Sequence, residues 1–167
     1  MKRNHFYSGV NPTVDLIVIN PSHEVLLIKR SIESNACPGM LAFPGGFIDS
    51  RAPKGALWEA GLETPKIAAL RELAEETNLV LNQDINLVLV GEYQGNNRDP
   101  RDSELSWTKT YAFLYQIDSE LYEKNRDRIK GMDDADEAMW ISLSDLRKMK
   151  LAFDHNIILE DAVKLLG

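Results

Sequence analysis

The run Glu63 to Leu79, ETPKIAALRELAEETNL, constrains this chain more than any other stretch. Thr64 followed by Pro65 is a helix start, because a threonine hydroxyl caps free amides and proline is already at helical φ. Asn78 tolerates the left-handed conformation that ends helices, so the spacing predicts a helix over about Pro65 to Thr77. At roughly 100° per residue, Ile67, Leu70, Leu73, Ala74 and Thr77 share an arc that faces a core. Glu72, Glu75 and Glu76 occupy about a third of the circumference, pointing away from that arc and flanked only by the small Ala68 and Ala69. A solvated acidic face is the plain alternative. However, Glu72 with Glu75 and Glu72 with Glu76 are like-charge neighbours costing about 0.2–0.5 kcal/mol each, and Arg71 can relieve Glu75 but hardly all three. A divalent cation turns that repulsion into binding, and carboxylate oxygens suit Mg²⁺ or Mn²⁺.

Upstream lie Pro44, Gly45, Gly46 and Phe47, and Glu63 precedes Arg71 by eight positions; the run then continues Arg71, Glu72, Leu73, Ala74, Glu75, Glu76, Thr77, Asn78, Leu79. This closely resembles the Nudix hydrolase signature: a glycine, five residues, a glutamate, seven residues, then R-E-U-x-E-E-x-G-U with U aliphatic. Two departures stand out. Asn78 replaces the last glycine, a mild change because both residues accept the left-handed turn. Sixteen residues separate Gly46 from Glu63 instead of five, which places an insertion in the loop at about 49–62. That loop is a lid or a dimer contact, and the sequence does not choose between them.

The remaining chain reads as strands and connecting loops. Val14 to Ile19 and Val25 to Ile28 look like a buried hairpin across Asn20, Pro21, Ser22 and His23. Lys29 and Arg30 end its second strand, either as a charged terminus or as a phosphate contact. Met40 to Phe43 form a short strand running into a tight turn at Gly45 and Gly46. Leu87 to Tyr93 and Thr110 to Ile117 are further strands, with a polar loop from Gly95 to Lys109 between them. Tyr122 to Lys130 is a charged loop or short helix, and an acidic loop, Gly131 to Glu137, precedes a strand at Met139 to Ile141. Ser142 or Ser144 caps a helix through about Met149. Asp154 caps the last helix through Leu166, with Ile157, Ile158, Ala162, Leu165 and Leu166 inward.

Composition bounds the rest. A chain of 167 residues with 44% hydrophobic content buries one good core, so a single domain spanning 1–167 is expected, with no length left for a DNA-binding domain. Nineteen basic against 26 acidic residues give a net charge of −7, which argues against a nucleic-acid or membrane-surface partner. The single Cys37 excludes an internal disulfide, and the start MKRNHFYSG has no apolar targeting core. A cytoplasmic protein is expected.

The resemblance covers nearly the whole chain and implies an α/β fold, the Nudix α/β/α sandwich with a mixed central sheet. It implies metal-dependent cleavage of the diphosphate in a nucleoside diphosphate linked to another group, by in-line attack of water. Glu72, Glu75 and Glu76, with backbone from Gly45 or Gly46, would hold Mg²⁺ or Mn²⁺, while Glu63 and Arg71 would pair to orient them. Arg98, Asp99, Pro100 and Arg101 resemble the RDPR loop of ADP-ribose pyrophosphatases, and Ala152 to His155 resemble a motif before the final helix in the same subgroup. ADP-ribose is therefore the favoured substrate, with AMP and ribose 5-phosphate as products. Arg30, Phe43, Asp99 and Arg101 are candidate substrate contacts. Asp133, Asp134 and Glu137 are candidate catalytic bases, a plain solvated loop being the alternative for each. The same helix would also serve a nucleoside triphosphate or dinucleoside polyphosphate pyrophosphatase, or a sensing module that binds ADP-ribose without cleaving it. A small-molecule nucleotide is the expected partner, a homodimer the assembly often found in that subgroup, and neither nucleic acid nor membrane is expected.

Overall fold

The computed structural model describes residues 5–95 and 97–166. The charged start at 1–4, and Asn96 in the polar loop, lie outside the described residues. Seven strands form one mixed sheet: β1 (Gly9–Ile19), β2 (Glu24–Arg30), β3 (Leu41–Ala42), β4 (Gly45–Phe47), β5 (Val88–Gln94), β6 (Ser106–Gln116) and β7 (Ala135–Ser142). The strand order is β3-β2-β1-β6-β5, with β4 added on β1 and β7 on β2. β1 and β6 run parallel from Gly9 opposite Ser106 to Ile19 opposite Gln116, while every other pairing is antiparallel.

Side chains of a buried strand alternate between its two faces, and both faces here are covered. Leu16, Val18 and Leu26 point to one side, where they pack with Ala68, Leu70 and Leu73 of α1 (Pro65–Thr77). Ile17, Ile19, Val25 and Leu27 point to the other, against Leu146 of α3 (Leu143–Leu146) and Ile158, Leu159 and Ala162 of α4 (His155–Val163). A fourth helix, α2 (Ser119–Asn125), ends in a 3-10 turn at Arg126–Arg128. The result is the expected helix–sheet–helix sandwich. Among the described residues no helix is long and apolar enough to cross a membrane.

Several local expectations shift. The two first strands meet only at Ile19 and Val25, because β1 takes β6 and β4 as partners and β2 takes β7 and β3. The glycines are not a turn: Gly45 and Gly46 lie within β4, opposite Asp15 and Val14. β6 begins at Ser106, inside the stretch read as polar loop, where alternate side chains are buried. In the same way β7 begins at Ala135, inside the acidic loop. α4 ends at Val163, with Ile157 and Leu165 exposed and Leu159 inward instead.

α1 has the predicted limits. The Thr64 side chain accepts from the Ile67 amide, Pro65 opens the helix, and Asn78 closes it at φ 62°. Asn78 does more than a glycine would, since its Nδ2 donates to Arg128 O at 3.0 Å. The acidic face, however, is only partly turned to solvent, with Glu75 exposed and Glu72 half-buried. Glu76 is buried, and so are Ala68 and Ala69, because β4 lies across that face of the helix.

Candidate active site

Arg71 organises the exposed side of the helix. Its Nε and Nη2 donate to both oxygens of Glu63, at 2.9 and 2.7 Å, and Nη2 also reaches Phe47 O at 3.1 Å. Burial pushes Glu63 up, but its hydrogen bonds from Arg71 and from the Asp49 amide prevail and hold it below the usual carboxylate range. The hydrogen bonds it donates to Glu63 hold the Arg71 guanidinium above its usual value. The Asp49 amide donates to Glu63 at 2.9 Å. The long loop thus begins and ends on the same carboxylate, and closing a longer loop adds little entropic cost. Its Trp58 packs against the core beneath α1 and donates to Ile48 O at 3.0 Å. Only Asp49 of that loop lines the cleft described next, so the loop does not cover it as a lid.

A cleft of about 590 Å³ opens between α1, β4, the Arg98–Arg101 loop and the start of α4. Glu72, Glu75 and Glu76 line it. Burial pushes Glu76 up to about 8, against the hydrogen bond it accepts from the Gly45 amide at 2.8 Å. Burial likewise pushes Glu72 up to about 7, opposed by Arg71 and reinforced by Glu75. Arg71 Nη1 holds Glu72 and Glu75 at 3.1 and 3.2 Å. Held on Arg71 and Gly45, the three carboxylates are splayed; among the described residues the one triad of metal-binding type converging within 4.8 Å is His5, Asp99 and Asp102. A Cβ on Gly46 would run into the Glu72 carboxylate, which explains glycine at that position. Buried carboxylates that gain protons for want of positive charge suit a divalent cation. Glu72 and Glu76 are carboxylates of that kind and fit a metal, Glu75 stands exposed beside them, and Glu63 sits behind as the partner of Arg71.

The structure sorts the other candidates. Arg30 lines the cleft, its guanidinium 5.0 Å above the Phe153 ring and its Nε donating to Ala36 O at 2.9 Å. Burial and the nearby Arg101 lower its pKa. Arg101 also lines the cleft, but it is bound to Asp99 through Nε and Nη2 at 3.0 and 2.7 Å. Asp99 is only 3% exposed and serves Arg101 rather than presenting both oxygens to a ligand. Phe43 lines the cleft, 2% exposed and with its ring stacked on His155 at 4.7 Å. Asp133 and Asp134 line the cleft, and the neighbouring Met132 amide ties their loop to Glu76 O at 3.0 Å. Glu137 sits apart, exposed on β7 opposite Lys29, and is not among the cleft residues.

Two charged residues lining this cleft, Arg98 and Asp15, were given no individual role by the sequence. Arg98 clasps Asp154 with two bonds of 2.8 and 2.6 Å and also reaches Thr108 and Thr110, joining the RDPR loop to the start of α4. Asp154 spends its carboxylate there instead of capping the helix. Asp15 was absent from the sequence reading altogether. Its signal was present, as the lone charge in the apolar run VDLIVI.

The NUDIX domain family model matches residues 9–162. The chain is similar to the ADPR responsive transcriptional repressor NtrR of Acinetobacter baylyi, 26% identical over 153 residues, which is 90% of this chain and 52% of the relative. It spans about half the length of that curated relative. Its fold is similar to the NUDIX domain of Shewanella oneidensis NrtR complexed with ADP ribose, at TM-score 0.72 and 25% identity over 95% of this chain and 90% of that one. It is also similar to S. oneidensis NrtR complexed with a 27mer DNA, at TM-score 0.66 and 27% identity over 92% of this chain and 61% of that one. These relatives overturn the expectation that excluded nucleic acid on net charge. A charge of −7 summed over this sequence does not report on DNA contact in relatives that carry considerable further length. The match over residues 9–162 establishes that the chain belongs to the NUDIX domain family.

Proposed function

We propose that this chain is a single-domain, Mg²⁺- or Mn²⁺-dependent cytoplasmic hydrolase of a nucleoside diphosphate linked to a second group, with ADP-ribose the favoured substrate and AMP and ribose 5-phosphate the products. One observation carries the reading: half-buried Glu72 and buried Glu76 stand against Gly46 and Gly45 in the cleft that also holds Arg30 and Arg101. A diphosphate needs positive charge on its oxygens and a held water in line with one phosphorus. Glu72, Glu75 and Glu76 would hold the divalent cation, which supplies Lewis acidity and lowers the pKa of water. Arg30 and Arg101 would take phosphate oxygens, the remaining Nη1 of Arg101 being free of Asp99. Asp133 or Asp134 would accept the proton of the attacking water, their loop being tied to the helix beside Glu76. Glu63 would hold Arg71, and through it the register of helix and β4.

A second reading, a module that binds ADP-ribose without cleaving it, draws support from the likeness to the NtrR and NrtR repressors. A third, a nucleoside triphosphate or dinucleoside polyphosphate pyrophosphatase, would use the same helix. Phosphomonoester release from ADP-ribose, NADH, dATP, GDP-mannose and diadenosine polyphosphate separates the three. The favoured reading expects a clear preference for ADP-ribose. A flat profile or a preference for dATP would sink the ADP-ribose assignment, and tight ADP-ribose binding with no turnover would favour the module.

A further inference from the structure

His155 is 2% exposed and bridges two parts of the cleft wall. The Phe43 amide donates to its Nδ1 at 3.1 Å. A backbone N–H cannot accept, so Nδ1 carries a lone pair and the ring proton sits on Nε2. Nε2 lies 3.0 Å from Asp15 Oδ2 and therefore donates to it. Stacking on Phe43 fixes the plane of the imidazole, and the Asp154–Arg98 pair fixes the chain one residue before it. The ring acts as a neutral bracket.

What the bracket holds is a carboxylate with one oxygen still open. Asp15 lines the cleft, and among the described residues no donor is bonded to its Oδ1. Oδ1 lies beside Gly45, where a Cβ would come within 2.5 Å of it. Thr13, two residues earlier on the same face of β1, shares a hydroxyl hydrogen bond with Thr110 on the same wall. Arg98, on which the charge of Asp15 acts, is already bound to Asp154 and the two threonines. A fixed carboxylate oxygen repels phosphate and accepts either a cation or a hydrogen-bond donor; with the cation assigned to Glu72, Glu75 and Glu76, a donor group of the ligand is what is left to meet it. In a nucleoside diphosphate linked to a sugar, ring hydroxyls are such donors.

Resting on the proposed diphosphate cleft, we infer that Asp15, positioned by the Nε2–H tautomer of His155, accepts a hydrogen bond from a ribose hydroxyl of the ligand and selects for a hydroxylated sugar beside the diphosphate. Removing a hydroxyl that binds a charged acceptor weakens binding by about tenfold or more.

The test uses binding, so it does not depend on turnover. Calorimetry in Mg²⁺ compares the non-hydrolysable α,β-methylene form of ADP-ribose with two analogues on the same methylene bridge: one lacking the adenosine 2′ and 3′ hydroxyls, and one carrying tetrahydrofurfuryl alcohol in place of the terminal ribose. The wild-type chain should bind one analogue at least tenfold more weakly than the methylene form of ADP-ribose. Asp15→Asn should bind all three equally, at that weaker affinity. Equal binding of the three by the wild type, or undiminished discrimination in Asp15→Asn, overturns the inference. No binding of any of them to the wild type would instead strike the proposed cleft itself. A long-range ¹H–¹⁵N spectrum at pH 7, with His155 assigned by its loss in His155→Asn, should show one protonated ring nitrogen. Two protonated nitrogens would refute the bracket.

Discussion

Replacing Glu76 with glutamine should stabilise the metal-free protein, and increasingly so as pH rises. Burial raises the Glu76 carboxyl from 4.5 to about 8. Across that window the folded chain holds a proton that the unfolded chain has released, so folding stability falls as pH rises. The displacement costs the folded state about 3 kcal/mol at pH 7 and about 5 kcal/mol at pH 9. Glutamine keeps the oxygen that accepts the Gly45 amide at 2.8 Å and removes the charge. In chelator, urea unfolding should find Glu76→Gln within about 1 kcal/mol of wild type at pH 5 and more stable by about 3–5 kcal/mol at pH 9. Adding Mg²⁺ should then stabilise the wild type more than the variant, because a ligand stabilises only the state that binds it. Parallel pH profiles in chelator would refute the reasoning, since they would mean that the buried carboxylate ionises at no cost to the fold.

Further changes test other parts of the cleft. Gly46→Ala places a methyl group against the Glu72 carboxylate, and turnover should fall about a hundredfold. A Mg²⁺ titration of rate should show the midpoint displaced, whereas an unchanged midpoint and rate would deny the contact a role. Arg98→Ala leaves Asp154 without its partner in a largely buried pair and should cost about 3 kcal/mol of stability in urea unfolding. A loss below about 1 kcal/mol would mean that the clasp is not what holds the loop to α4.

The helix α1 was legible because everything that defines it is local. Thr64, Pro65 and Asn78 act within a turn of themselves, and Arg71 reaches Glu63 and Glu75 along one face. The inclination of that face was harder to read. A wheel shows which residues share a side, yet only β4, brought in from upstream, decides that Glu76 is buried while Glu75 stays open. Gly45 and Gly46 had the composition of a turn, but pairing with β1 draws them into the sheet. The motifs at Arg98 to Arg101 and Ala152 to His155 were both visible. Their joining through Arg98 and Asp154 was not, because it links positions 56 residues apart through side chains alone. The side-chain surroundings of Phe43 and Asp15 were hidden for the same reason. The aromatic beside the glycines turned inward onto His155, and the aspartate within an apolar strand faced the cleft.

The most direct test incubates ADP-ribose with the wild-type chain and with Glu76→Gln, in Mg²⁺ or Mn²⁺, and separates the products chromatographically. The account predicts AMP and ribose 5-phosphate in equal amounts from the wild type, and a rate lower by orders of magnitude in the variant. ADP-ribose recovered intact from a wild-type chain that binds it tightly would contradict the hydrolase and make the same cleft a sensor.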